Sequence, residues 1–71
     1  MAQITLKAAR VNAGLTQKEA ADALQISNRT LCKWENGNGV PKADKIDPIC
    51  DLYGVSYDDL IFLPVDSLKA N

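Results

Sequence analysis

The sequence predicts an all-α fold, a compact five-helix bundle, on three observations. At 71 residues the chain makes one small domain, since chains near this length bury only about 60% of their unfolded surface. The 46% apolar fraction includes nine alanines, which suit a core where helix backbones approach closely. Cap residues punctuate the chain at short intervals, with Thr5, Thr16, Ser27 and Ser56 as starts and Gly14, Gly37 and Gly54 as stops.

Thr5 caps a first helix, residues 6–13, with Leu6, Ala9, Val11 and Ala13 available for burial and Gly14 as its left-handed stop. Thr16 and Glu19 make a capping box that opens the second helix, residues 17–24, and Leu15 before the cap staples onto Ala20. Ser27 opens the third, residues 28–36, with Ile26 stapling onto Leu31. Gly54 closes the fourth. Pro48 inside it leaves two readings: a helix shortened or kinked there, or Asp47 and Pro48 as the cap and first position of a later start. Ser56, with Asp59 three residues on and Val55 stapling onto Leu60, opens a fifth helix.

Only Gln25, Ile26 and Ser27 separate the second and third helices, which is helix-turn-helix spacing. Ala21 supplies the small side chain a crossing partner needs, and Ala20, Leu24, Ile26 and Leu31 supply the contacts that set the angle. Any all-α hairpin shares that pattern. On the third helix, Arg29, Cys32, Lys33 and Asn36 lie about 100° to 200° from Leu31 at 100° per residue, so one face is core and the other polar and basic. Arg29 and Lys33 are suited to guanine O6 and N7, and Asn28 in the first turn to adenine N6 and N7, if the helix enters a major groove by its N-terminal end. An ordinary solvated face has the same composition.

Charge divides along the chain. Residues 1–42 carry six basic and three acidic side chains, a net +3, whereas residues 43–71 carry two basic and six acidic ones, a net −4. An anionic partner meets the first half. There is no His, and Cys32 and Cys50 stand 18 residues apart without a CxxC pair, so neither a metal site nor a disulfide framework has its usual spacing. No nucleophile stands beside a base and no glycine-rich phosphate loop is present, so an enzyme is not expected, and no cofactor. Apolar runs are far shorter than the roughly 20 residues of a membrane span, and the expected location is cytoplasmic, nucleoid-associated when bound.

The stretch Leu15-Thr16-Gln17-Lys18-Glu19-Ala20-Ala21, then Leu24-Gln25-Ile26-Ser27, Leu31, Trp34-Glu35-Asn36-Gly37 and Pro41 resembles the phage repressor and Cro family of XRE-type helix-turn-helix regulators. The segment Leu52-Tyr53-Gly54-Val55-Ser56-Tyr57-Asp58-Asp59-Leu60 extends the likeness, which covers residues 5–62. The resemblance implies the five-helix bundle of a lambda-repressor-like DNA-binding domain over residues 1–62, with residues 28–36 as the recognition helix. It implies that Gln17 and the start of the second helix meet a phosphate and that Asn28, Arg29 and Lys33 face base edges. It further implies that Asn36, Asn38, the backbone between Asn36 and Gly39, and Lys42 hold the next phosphates, and that Arg10 pairs with Glu35.

Gln25 departs from the family by standing where glycine is usual. Cys32, beside Lys33, is either a redox-sensing thiol or a plain contact. Residues 63–71 lie outside the resemblance, and their Leu63, Val65 and Leu68 either pack back on the domain or join a dimer. Regulators of this kind bind near-palindromic operators in double-stranded DNA as homodimers. The expected function is therefore a small Cro-like or repressor-like transcriptional regulator. The alternative is an antitoxin or protein-interaction module on the same fold, using the acidic second half.

Overall fold

The computed structural model describes residues 3–62. In chain order these form β1 (Ile4–Thr5), α1 (Leu6–Asn12), α2 (Gln17–Leu24), α3 (Asn28–Glu35), α4 (Ala43–Tyr53), a 3₁₀ turn (Tyr57–Asp59) and β2 (Leu60–Ile61). Residues 63–71, with Leu63, Val65 and Leu68 expected either to pack back or to join a dimer, lie outside the described residues.

The first three helices start where their cap chemistry places them. Thr5, Thr16 and Ser27 sit in extended backbone, and their side chains accept the amides of Ala8, Glu19 and Thr30. At Thr16 the box is complete, because the Glu19 carboxylate also accepts the Thr16 amide at 2.9 Å. Such a cap contributes about 1 kcal/mol.

Helix ends share one device. The amides of Leu15, Ile26, Asn38 and Val55 reach back five residues to the carbonyls of Arg10, Ala21, Lys33 and Cys50, at 3.2, 3.0, 2.9 and 3.1 Å. Each closure needs a left-handed residue just before the donor, and three of the four are glycines. The fourth is Gln25 at φ 60, ψ 41, so the turn keeps the geometry of a glycine turn with a side chain in place, at a cost on the order of 1 kcal/mol.

The core is one cluster of Leu6, Ala9, Ala20, Ala21, Leu24, Leu31, Ile49, Tyr53 and Leu60, with Leu31 and Ile49 fully enclosed. Alanines let α2 lie close against its neighbours. On α1 the buried stripe is Leu6, Ala9 and Arg10, a spacing of three and four. Of the expected burial candidates, Val11 faces away from that stripe and Ala13, in line with it, lies past the end of α1 as its C-cap; both are exposed. α4 docks on α2 in part through Lys45, whose Nζ donates to the Leu24 carbonyl at 2.8 Å and so places a cation at the C-terminal end of α2.

The second half corrects two expectations. α4 runs unbroken through Pro48. The proline removes the amide that would bond the Asp44 carbonyl, but both residues are exposed, so water can solvate that carbonyl. Among the described residues there are four α-helices, and the expected fifth is replaced by one 3₁₀ turn and a strand. The Ser56 hydroxyl donates to the Asp59 carboxylate at 2.9 Å and makes no cap bond to an amide. Without that cap the backbone turns once and extends, and β2 pairs in parallel with β1, Ile4 opposite Leu60 and Thr5 opposite Ile61. The described residues are thus all-α apart from this two-residue strand pair.

Candidate nucleic-acid interface

Asn28, Arg29 and Lys33 all project from α3 into solvent, and Leu31 on the opposite side is fully buried. Ser27 fixes where α3 starts, and Leu31 and Glu35 fix its rotation, so the three side chains share an outward arc. Cys32 is half-buried on that arc, and its Sγ accepts from the Asn36 amide group at 3.3 Å.

Gln17, the first residue of α2, is half-buried between α3 and the α1 region. Its Nε2 donates to Glu35 Oε1 at 3.1 Å, and its Oε1 accepts from Asn28 Nδ2 at 3.1 Å. The structure therefore joins a residue expected at a phosphate to one expected at a base edge, across the helix-turn-helix. Nothing in the sequence spacing signals that contact, because 11 residues and a turn separate the two.

Behind Gln17 stands an ion pair. Arg10 Nε meets Glu35 Oε2 at 2.7 Å and Nη2 donates to Oε1 at 3.3 Å, with side chains only 10% and 3% exposed. The third arm, Nη1, donates to the Leu15 carbonyl at 2.8 Å, tying α1, the loop before α2 and the end of α3 together. The Glu35 hydrogen bond raises the Arg10 pKa above its ordinary value despite opposing burial. Tyr53 lies close enough to feel both charges. Burial first, and then the negative charge of Glu35, push its phenol up to about 12 against the lowering effect of Arg10.

The loop after α3 holds Asn36, Asn38 and Lys42, all exposed. The expectation that backbone amides from Asn36 to Gly39 are free for phosphate needs revision. The amides of Asn36, Gly37 and Asn38 are spent on the carbonyls of Cys32, Trp34 and Lys33, which close α3. Gly39 remains, and a Cβ there would sit 3.7 Å from the Trp34 ring. The side chains of this loop and the amides of Gly39 and Val40 are not spent on those carbonyls. Lys42 stands at the start of α4 in extended backbone, its side chain exposed. Lys18 makes an exposed pair with Asp22 at 3.5 Å, of the kind worth little in water.

Among the described residues no group of three or more His, Cys, Asp or Glu side chains could hold a metal ion, and no helix is long and apolar enough to cross a membrane.

Residues 6–60 match the family described as helix-turn-helix. Over 56 residues, 79% of this chain, it is 45% identical to the HTH-type transcriptional regulator ImmR of Bacillus subtilis (strain 168), covering 44% of that protein. It is 38% identical over the same share to Antitoxin PezA of Streptococcus pneumoniae serotype 4, covering 35% of it. It is 32% identical to the HTH-type transcriptional activator BcrR of Enterococcus faecalis, covering 28% of it. The chain spans less than half the length of each of these relatives. No solved structure matches it. With a family match over most of its length and the two capped helices joined by a left-handed turn at Gln25, the chain belongs to the XRE-type helix-turn-helix family.

Proposed function

We propose that this domain binds double-stranded DNA sequence-specifically as part of a transcriptional regulator, with α3 in the major groove. It is a binding domain and not an enzyme. The observation that carries the reading is the outward arc of α3, where Asn28, Arg29 and Lys33 are all solvent-exposed beside the start of α2. Those three meet base edges, while Gln17, Asn36, Asn38 and Lys42 meet phosphates, which position the helix without specifying sequence. Two relatives that are named as a transcriptional regulator and a transcriptional activator support the same reading. The domain occupies an operator in the manner of a Cro-like repressor, in the cytoplasm and on the nucleoid when bound.

One α3 of eight residues is about 12 Å long and covers only a few base pairs. Two copies related by a twofold axis, with their α3 helices about 34 Å apart, double the site length on one face of the duplex. The protein therefore acts as a homodimer on a near-palindromic site.

The test begins with selection of bound sites from a random duplex library, followed by titration of a fluorescent duplex across salt. Three basic groups per subunit at the duplex, Arg29 and Lys33 in the groove and Lys42 on a phosphate, give roughly six displaced counterions per dimer and a slope of log K against log salt near −5. Replacing Arg29 or Lys33 by Ala is expected to weaken the selected site by about 1–3 kcal/mol and to relax its selectivity. A second reading follows from the relative named as an antitoxin: a protein-interaction module that uses the acidic second half of the sequence, residues 43–71. No enrichment from the library and no duplex binding at low salt would favour it and overturn the first.

A further inference from the structure

We infer that Glu35, which touches no nucleic acid, determines which base Asn28 accepts. The inference rests on the proposed reading of Asn28 at a base edge. A carboxylate only accepts hydrogen bonds, so the Gln17 group facing Glu35 Oε1 at 3.1 Å is its amide nitrogen. Gln17 then turns its oxygen toward Asn28, and the Asn28 group meeting that oxygen at 3.1 Å is its own nitrogen. The buried charge pair thus fixes the orientation of two successive amides. Asn28 is left with its Oδ1 and one Nδ2 hydrogen facing outward, one acceptor and one donor.

That pattern complements adenine, which presents the N6 donor and the N7 acceptor in the major groove. It is wrong for guanine, whose O6 and N7 both accept. An asparagine free to turn over could present both amide hydrogens outward and take guanine. Arg10 completes the device from behind: its Nε holds Glu35 Oε2 at 2.7 Å and keeps Oε1 turned toward Gln17. Glu35 is on this account a positioning residue for specificity, acting through Gln17.

The sharp test is Glu35→Gln. The shorter Arg10 bond keeps the new amide's oxygen, so its nitrogen takes the place of Oε1 and donates to Gln17. Gln17 turns over, Asn28 gives its oxygen to Gln17, and both Asn28 amide hydrogens face the groove. Affinities are measured for duplexes that carry the site selected by the wild type and differ at one base pair. At the position sensitive to Asn28→Ala, the adenine-to-guanine affinity ratio is expected to be about tenfold or more in the wild type and to fall below one in Glu35→Gln.

Because Glu35→Gln also weakens a buried pair and can fail to fold, Gln17→Met serves as a second break in the chain. Its lost phosphate contact weakens both duplexes alike and cancels in the ratio, which is expected to approach one. In the free protein, the side-chain amide protons of Asn28 are expected to exchange slowly by NMR in the wild type and rapidly in Gln17→Met. An unchanged ratio in Gln17→Met at a position where Asn28→Ala abolishes it overturns the relay and leaves DNA reading by Asn28 intact. A wild-type preference for guanine there overturns it as well. If Asn28→Ala alters no base preference, Asn28 reads no base, and the inference falls with that part of the proposed function.

Discussion

Residues 5–38 and residues 42–62 are built by different means. In the first region every helix start is held by a side-chain oxygen on a backbone amide, and a buried charge pair with an amide chain in front of it crosses three helices. In the second, neither Lys42 nor Ser56 makes a side-chain cap bond, a proline sits within the helix, and the chain is secured by Ile49, Tyr53 and Leu60 in the core and by a two-residue strand pair. Directional bonds fix angles, whereas apolar burial fixes only proximity. The region that presents Asn28, Arg29 and Lys33 relies on the former, and the supporting region mainly on the latter, with Lys45 on the Leu24 carbonyl as its directional tie to α2.

The strongest way to break the contrast is Arg10→Ala, which leaves Glu35 without its charge partner and the Leu15 carbonyl without its donor. It is expected to cost about 3–5 kcal/mol in urea unfolding, and the Arg10 and Glu35 double variant less than the sum of the singles. Wild-type stability in Arg10→Ala would show that the first region does not depend on its polar wiring.

Pro48→Ala sharpens the contrast from the other side. It restores an amide for the Asp44 carbonyl in an exposed helix interior and is expected to raise stability by about 1–3 kcal/mol in the same assay. Gln25→Gly follows, because φ 60 strains a side-chain-bearing residue there, with an expected gain of about 0.5–1 kcal/mol after the larger unfolded-state entropy of glycine is set against it.

Tyr53→Phe is the smallest change at neutral pH. The buried hydroxyl has no hydrogen-bond partner among the described residues, so its removal is expected to be neutral or slightly stabilising. The variant separates from the wild type only in alkali. The folded phenol, pushed up to about 12, holds its proton where an unfolded tyrosine near 10 releases it. That contribution is complete below about pH 10 and lost as pH rises through about 12. Thermal melts of the two proteins are expected to diverge between those values, the wild type falling further.

The same division explains what could be read from the chain. Thr5, Thr16 and Ser27 signal local chemistry that completes itself within three residues, and the helix bounds agree with it to one residue. Ser56 carries the same signal, but its hydroxyl binds the Asp59 side chain, a choice no spacing reveals. A two-residue strand is too short for alternation to show, and its partner lies 56 positions away at Ile4 and Leu60. At the interface, helical rotation put Arg29 and Lys33 on the outer face of α3, and Asn28 joined them through its place in the first turn. The bond from Asn28 to Gln17 and the commitment of the Asn36 to Asn38 amides depend on tertiary geometry. Nothing in the sequence marks Lys45 for the end of α2, where its Nζ meets the Leu24 carbonyl.

The strand pair also bears on the order of folding. α2 and α3 are neighbours in sequence and can dock early, since closing a turn of three residues takes little chain entropy. Joining Ile4 to Leu60 closes a loop that contains almost the whole described chain, so it rewards folding only after the helices between have formed. During synthesis, the partner of β1 does not exist until residue 60 has left the ribosome. α1, tethered to β1 without an intervening residue, therefore gains its last anchor only when β2 arrives.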